Sequence, residues 1–347
     1  MSYSWLYFPH PEPQGKKRII YPVFLPFAGC PFKCIYCSQT EQTGREARSI
    51  ASIGEEVYSL VVSHYYRTGR AVALGFFGGT FTAMPYQDQK YLLEIALELK
   101  KNGVVNHLRC STRPDFVQQE HIRLLQSYGV DMVELGIQSF DCSSLELAKR
   151  GYSGSQALAA ARRLKTQGME LGIQLMPGLP GSNAASFLRD IEICTNLGVS
   201  GTRIYPCLVL QNTPLAKLWA KGRYSPWSLE QTTTLLSLAL LRLWQADAPV
   251  IRMGLAPEGT LLPNILAGPW HPALGAICRG RALGAFVLSR IRKVKGQVEG
   301  INVPGRYQSD FWGYKKENAQ AYAWAGLTQE RVRFWNREWF KLGYKDY

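Results

Sequence analysis

The sequence predicts a parallel α/β fold of six strand–helix units, followed by a small basic, aromatic-rich C-terminal extension. Two observations carry this reading. Apolar strand-like runs alternate with amphipathic helical stretches from Tyr21 to about residue 245, the pattern of a parallel sheet with crossover helices. Beyond that point basic and aromatic residues accumulate. Residues 1–20 are then an N-terminal extension, 21–245 the α/β domain and 246–347 the C-terminal extension. Six units fall short of a complete eight-stranded barrel.

Tyr21 to Pro26 is the first strand, and a cysteine-rich loop follows it directly. Glu55 to Thr68 reads as a helix with Val57, Leu60, Val61 and His64 on one face. Ala71 to Phe77 is the second strand, running into Gly78-Gly79-Thr80. Asp88 to Asn102 is a helix that buries Leu92, Ile95, Ala96 and Leu99, with Gly103 as its stop. His107–Ser111, Met132–Ile137, Leu171–Leu175 and Thr202–Tyr205 are the remaining strands. Helices fall at Glu120–Tyr128, Ser143–Arg150, Ser155–Gln167 and Ala184–Leu197, the last two ended by Gly168 and Gly198. Ser228-Leu-Glu-Gln has the form of a capping box opening a leucine-rich helix through Trp244.

Cys30, Cys34 and Cys37 lie in Gly29-Cys-Pro-Phe-Lys-Cys-Ile-Tyr-Cys, a C-x3-C-x2-C spacing with no fourth cysteine nearby. Three thiolates on a four-iron cluster leave one iron without a protein ligand, open to bind something else. A zinc knuckle needs a fourth ligand, and neither His10 nor His64 has knuckle spacing. A disulfide with one spare thiol is the weakest alternative. The N-terminus is broken by prolines and lacks the apolar core of a signal peptide. A cytoplasmic, reducing location is therefore expected, where such cysteines read as metal-binding or catalytic. The longest apolar run, Leu235 to Leu243, is too short to span a bilayer, so no membrane partner is expected.

These cysteines, with the Gly-Gly-Thr after the second strand, resemble the radical S-adenosylmethionine (SAM) superfamily. Phe-Phe-Gly-Gly-Thr-Phe-Thr, Ser-Thr-Arg-Pro-Asp, Glu-Leu-Gly-Ile-Gln-Ser-Phe, Met-Pro-Gly-Leu-Pro-Gly and Arg-Ile-Tyr-Pro-Cys-Leu-Val-Leu narrow the resemblance. They occur between Tyr21 and Trp227 in the order they take in the elongator catalytic subunit family. The resemblance implies a partial (β/α)6 TIM-like barrel, which the spacing fits. It also implies a [4Fe–4S] cluster on Cys30, Cys34 and Cys37, SAM as cofactor, and an electron donor such as flavodoxin or ferredoxin. The reaction implied is reductive cleavage of SAM to a 5′-deoxyadenosyl radical that abstracts hydrogen from a substrate.

Every motif closes a strand, where ligands sit in parallel barrels. By resemblance, Tyr36 lies near adenine, with loop packing as its alternative. The carbonyls of Gly78 and Gly79, beside Thr80, meet the amino group of SAM, although a Gly-Gly pair equally makes a turn. Ser111 and Thr112, with Arg113 and Asp115, offer hydroxyls and charge for ribose or carboxylate, or else an Arg–Asp brace. Gln138, followed by Ser139, matches a nucleoside contact. Arg150 matches an arginine on the methionine carboxylate, a role its planar fork suits. Met176 begins a segment along the adenine, or a Pro/Gly-rich turn. Tyr205 and Gln211 are weaker candidates for substrate contact, and Arg252 and His271 weaker still. Cys142, Cys194 and Cys278 show no cluster spacing. Cys110 and Cys207, beside strand ends, are low-ranking candidates for a radical-site thiol.

The formal charge is +14, and residues 279–347 hold fourteen Lys/Arg against six Asp/Glu. Basic charge interleaved with aromatics suits single-stranded or looped RNA, and tRNA is the substrate class the resemblance suggests. The plain alternative is a small core with solvated lysines, favoured for Phe334, Trp335, Trp339 and Phe340 by their helical spacing. The region after Trp227 has no convincing glycine-rich coenzyme A loop, so the acetyltransferase activity of the elongator family is not expected. A radical enzyme acting on a small metabolite or protein is one rival reading. A non-catalytic, metal-containing RNA-binding protein is the other.

Overall fold

The computed structural model describes residues 3–14, 18–31, 33–39, 48–257 and 259–346. Parts of both expected extensions, Met1 and Tyr347 among them, lie outside these residues. The chain opens with β1 (Tyr3–Pro9), β2 (Ile20–Leu25) and α1 (Ile50–Thr68). Next come β3 (Val72–Gly78), α2 (Tyr86–Lys101), β4 (Val105–Thr112), α3 (Gln119–Ser127) and β5 (Met132–Gln138). Two helices, α4 (Cys142–Leu147) and α5 (Gly154–Thr166), lead to β6 (Glu170–Leu175), α6 (Ala184–Leu197) and β7 (Gly201–Ile204). A short β8 (Val209–Leu210) precedes α7 (Pro214–Ala220), α8 (Leu229–Gln245), β9 (Val250–Met253) and β10 (Ile265–Ala267). The chain continues through α9 (Leu274–Ile291), β11 (Gly296–Pro304), α10 (Gln308–Trp312), α11 (Ala319–Trp324), β12 (Val332–Trp335) and β13 (Trp339–Asp346).

Seven strands form one curled parallel sheet, in the order β2-β3-β4-β5-β6-β7-β9. This is a half-barrel, in the class the alternation predicts, with one strand more than the six expected. The extra strand is β9, past residue 245. Its four residues follow Pro249, include Arg252 and are only half-buried at best, so they carry no run of buried apolar residues to read.

The helices follow their local chemistry. Ser153 and Asn183 cap α5 and α6 with reciprocal boxes, and Gly198 closes α6 in the left-handed region. The Ser228 hydroxyl accepts from the Gln231 N–H at the start of α8. Leu92, Leu93, Ala96 and Leu99 of α2 and Ile191 and Cys194 of α6 are buried against the sheet.

A second sheet, ordered β1-β13-β11-β12, joins the N-terminal strand to the C-terminal region. Here the helical expectation fails: Phe334 and Trp335 end β12, while Trp339 and Phe340 begin β13. Two aromatic pairs separated by a three-residue link mimic helical spacing. Helix α9 serves both cores, with Leu274, Cys278 and Ala282 in the barrel core and Leu283, Phe286, Val287 and Ile291 under the second sheet.

Candidate active site

A cavity of about 550 Å3 opens at the C-terminal ends of the parallel strands. Its wall contains Cys30, Cys34 and Cys37, together with Tyr36, Gly78, Gly79, Thr80, Ser111, Gln138, Arg150 and Met176. The fold thus gathers these eleven residues at one place, from the C-terminal ends of different strands and the segments that follow them.

Close backbone contact fixes the cysteine loop. Thr80 N–H donates to the Ala28 carbonyl at 2.7 Å, so the strand-end Gly-Gly-Thr grips the loop that carries the thiols. A Cβ on Gly79 would come within 2.0 Å of Ala28 O, and one on Gly29 within 2.3 Å of Thr80 O. Only glycine permits this approach. Between the second and third cysteines, Ile35 is buried and pinned on both sides. Its N–H donates to Ala148 O at 3.5 Å and its carbonyl accepts from Leu215 N–H at 2.9 Å.

Arg150 is the centre of the buried polar contacts. Its Nη1 donates to Cys34 Sγ at 2.8 Å and to Tyr36 Oη at 3.2 Å, Nε to Tyr152 Oη at 2.9 Å, and Nη2 to Gly136 O at 2.6 Å. Burial works against its charge, but Tyr152, Tyr36 and Cys34 outweigh it and hold the guanidinium firmly protonated. Burial, with the neighbouring Cys34 and Cys30, pushes the Cys37 thiol up to about 12. Burial beside two further thiols disfavours a free Cys37 thiolate, whereas metal coordination removes that proton.

The donor set fits an iron–sulfur cubane. Three thiols from one loop face a cavity and a cationic donor reaches one sulfur, as an anionic cluster requires. Among the described residues no three His, Cys, Asp or Glu side chains converge on a single ion. Cubane ligands bind separate irons and need no such convergence, unlike the four ligands of a structural zinc.

The other predicted residues divide. Gln138 ends β5 at φ 72°, a left-handed conformation unusual for glutamine, and its Oε1 accepts from Gln174 Nε2 at 3.2 Å. Thr80 Oγ1 lies 3.4 Å from Cys30 Sγ. Arg113 grips Asp115 at 2.9 and 2.8 Å and donates to Arg150 O at 2.5 Å, so the brace is what forms. Ser139 is turned to Asp190 at 2.7 Å. Tyr205 and Arg252 line the cavity. Gln211 does not, and is exposed. His271 accepts from Ala273 N–H and packs edge-on against Tyr314, also outside the wall. Cys110 and Cys207 are fully buried away from the cavity, and burial raises both thiols, Cys207 to about 12.

Some wall residues escape sequence reading. Gln39, two positions beyond Cys37, accepts from Phe27 N–H at 2.6 Å and donates to Gly78 O at 2.5 Å, bridging both ends of the cysteine loop to β3. Glu134 sits between Arg109 at 3.0 Å and Arg203 at 2.5 Å. Glu134, Gln174 and Arg203 all line the cavity. Their available signal is polarity in the middle of otherwise apolar strands, which marks inward-facing barrel positions.

Comparison with known proteins decides the family. The radical SAM superfamily model matches residues 24–194, and a radical SAM C-terminal domain model matches residues 199–282. The chain belongs to the radical SAM superfamily. Members of this superfamily use a [4Fe–4S] cluster and SAM, and they need a reductant. Among curated relatives, tRNA uridine(34) acetyltransferase of Methanocaldococcus infernus is 30% identical over 189 residues, covering 48% of this chain and 35% of that protein. Elongator complex protein 3 of Homo sapiens is 26% identical over 298 residues, covering 71% of this chain and 53% of that protein. The chain therefore spans about half, or less, of the length of these relatives. The structure of archaeal Methanocaldococcus infernus Elp3 with an N-terminal deletion superposes with a TM-score of 0.59 at 21% identity. It covers 80% of this radical SAM chain and 64% of its own, and shares the fold. Among the described residues no helix is long and apolar enough to cross a membrane.

Proposed function

We propose that this radical SAM enzyme acts on RNA, with tRNA as the substrate class. The observation that carries the radical half is the convergence of three cysteines and five further strand-end motifs on one cavity. Support for RNA comes from the basic excess in residues 279–347 and from relatives named for tRNA uridine(34) modification. Acetyl transfer is not part of the proposal.

In this reading Cys30, Cys34 and Cys37 hold the cluster. Gly78, Gly79, Thr80, Ser111, Gln138, Arg150, Met176 and Tyr36 receive SAM. When bound, cluster and SAM together supply a one-electron reductive cleavage and with it a carbon radical that abstracts hydrogen. The chain's own residues position and shield. Arg150 offsets negative charge at Cys34 and ties the loop to the end of β5. Gln39 holds the loop against β3. Leu208, Leu210 and Leu261 form an apolar cluster on the cavity wall, which keeps water from a reactive intermediate. A one-electron donor of the flavodoxin or ferredoxin type supplies the reductant.

The test is 5′-deoxyadenosine release by anaerobically reconstituted, reduced protein with SAM, with and without bulk tRNA. The expected result is release that tRNA stimulates and Cys34→Ala abolishes. Release no greater than the Cys34→Ala background, with tRNA present, overturns the proposal.

A further inference from the structure

The sheet of β1, β13, β11 and β12 packs only one face on α9, through residues such as Phe8, Ile301, Val303, Phe340 and Leu342. Strand alternation turns Tyr3, Trp5 and Tyr7 to the other face, where Trp5 is 42% and Tyr7 55% exposed. Neighbouring strands continue the pattern. Tyr7 pairs with Lys341 and Pro9 with Trp339, itself 53% exposed. Lys341 is opposite Asn302, and Asn302 is opposite Arg333. A cationic row therefore crosses an open, aromatic sheet face.

Trp5 shows how the rings are mounted. It stands opposite Gly343, where a Cβ would come within 2.7 Å of the indole. The ring thus lies against bare backbone, with Tyr3 edge-on to it at 4.7 Å. Lys341 Nζ sits 3.7 Å from the Trp5 ring centroid and 5.6 Å from that of Tyr7. Lys345 meets Glu299 at 3.5 Å, but Lys341 and Arg333 have no carboxylate partner among the described residues. At the edge of the face, a shallow concavity of about 400 Å3 is lined by Trp335, Arg337 and the ion pair of Arg306 with Glu338 at 3.6 Å, among others.

The geometry points to a binding face for single-stranded nucleic acid, a surface distinct from the radical cavity. Bases stack on Trp5, Tyr7 and Trp339, and phosphates are drawn by Lys341 and Arg333. Exposed aromatics on an open sheet suit unstacked bases, which a duplex does not offer. Insofar as the strand is the enzyme's substrate, this rests on the RNA reading above.

The test is fluorescence anisotropy of the full chain with a labelled uridine-rich oligoribonucleotide, its deoxy counterpart and an RNA duplex, over a salt series. Single strands are expected to bind, quench tryptophan emission and outcompete the duplex. Trp5→Ala and Tyr7→Ala each weaken binding roughly ten-fold, and Trp5→Phe restores it. Lys341→Gln flattens the salt dependence by about one ion. Tyr7→Ala leaves the Gly343 contact in place, so a weak Trp5→Ala fold does not decide the outcome. Preference for the ribose strand identifies RNA as the ligand, and equal binding of both strands identifies stacking alone; both support the face. No binding, equal affinity for duplex, or variants that bind as tightly as wild type overturn it. RNA-independent 5′-deoxyadenosine release, measured on the same samples, separates the two readings. Release without strand binding removes the face and leaves the radical reading. Strand binding without release under any condition does the reverse.

Discussion

The cavity end of the barrel and the appended sheet are built on opposite plans. In the barrel, helices cover the strands, so β3 to β6 are nearly continuous buried runs. Polar residues concentrate where those strands stop. In the appended sheet one face is core and the other is open, so aromatics occupy both: Phe340 is fully buried while Trp339 beside it is half exposed. In the first region a residue's type announces its place. In the second, only the strand register separates a core ring from a surface ring.

Four substitutions or conditions probe this contrast. Phe340 stacks on Phe8 at 5.2 Å and links β13 to β1, so Phe340→Ala should cost about 3–5 kcal/mol. Because α9 serves both cores, denaturant unfolding should remain one transition. A separate early transition would show that the sheet is an independent unit. In the barrel, Gly79→Ala drives a Cβ into Ala28 O. It should cost about 2–4 kcal/mol and lower the iron bound after reconstitution, read by iron analysis.

His10 connects the regions chemically. Burial, with Arg279 and Arg306, outweighs Glu12 and lowers its pKa from 6.5 to about 4. A depressed histidine is neutral when folded but protonates when unfolded, so its contribution is present above pH 6.5 and lost as pH falls toward 4. The expected loss is about 2–3 kcal/mol, and His10→Phe melts should show a smaller decline over that range. Gln138→Asn should have the smallest effect on stability, within about 0.5 kcal/mol, because asparagine tolerates the left-handed backbone. Its shorter side chain should still weaken SAM binding, measured by calorimetry on the reconstituted protein.

The sequence made the barrel legible where periodicity and punctuation agree. Ala184–Leu197 matches α6 end to end because Asn183 and Gly198 cap it. Strand β9 was hidden by its shortness, and the second sheet by rings whose spacing fits two structures. At the site, glycines and cysteines were readable because each answers a specific demand of close approach or ligation. The position of Arg150 on Cys34 and Tyr36, and the clasp made by Gln39, depend on contacts between segments far apart in sequence or on loop shape. No local pattern encodes them. Arg113 and Asp115 show the converse: a polar cluster at a strand end that proves to be a brace.

The central claim is that the cysteine cavity holds a cluster with a coordination site open to SAM. The most direct measurement is the EPR spectrum of the anaerobically reconstituted, reduced protein, before and after SAM is added. The account predicts a [4Fe–4S] signal whose g values shift with SAM, and its loss in Cys34→Ala. A loaded, reduced cluster whose signal SAM leaves unchanged would contradict it.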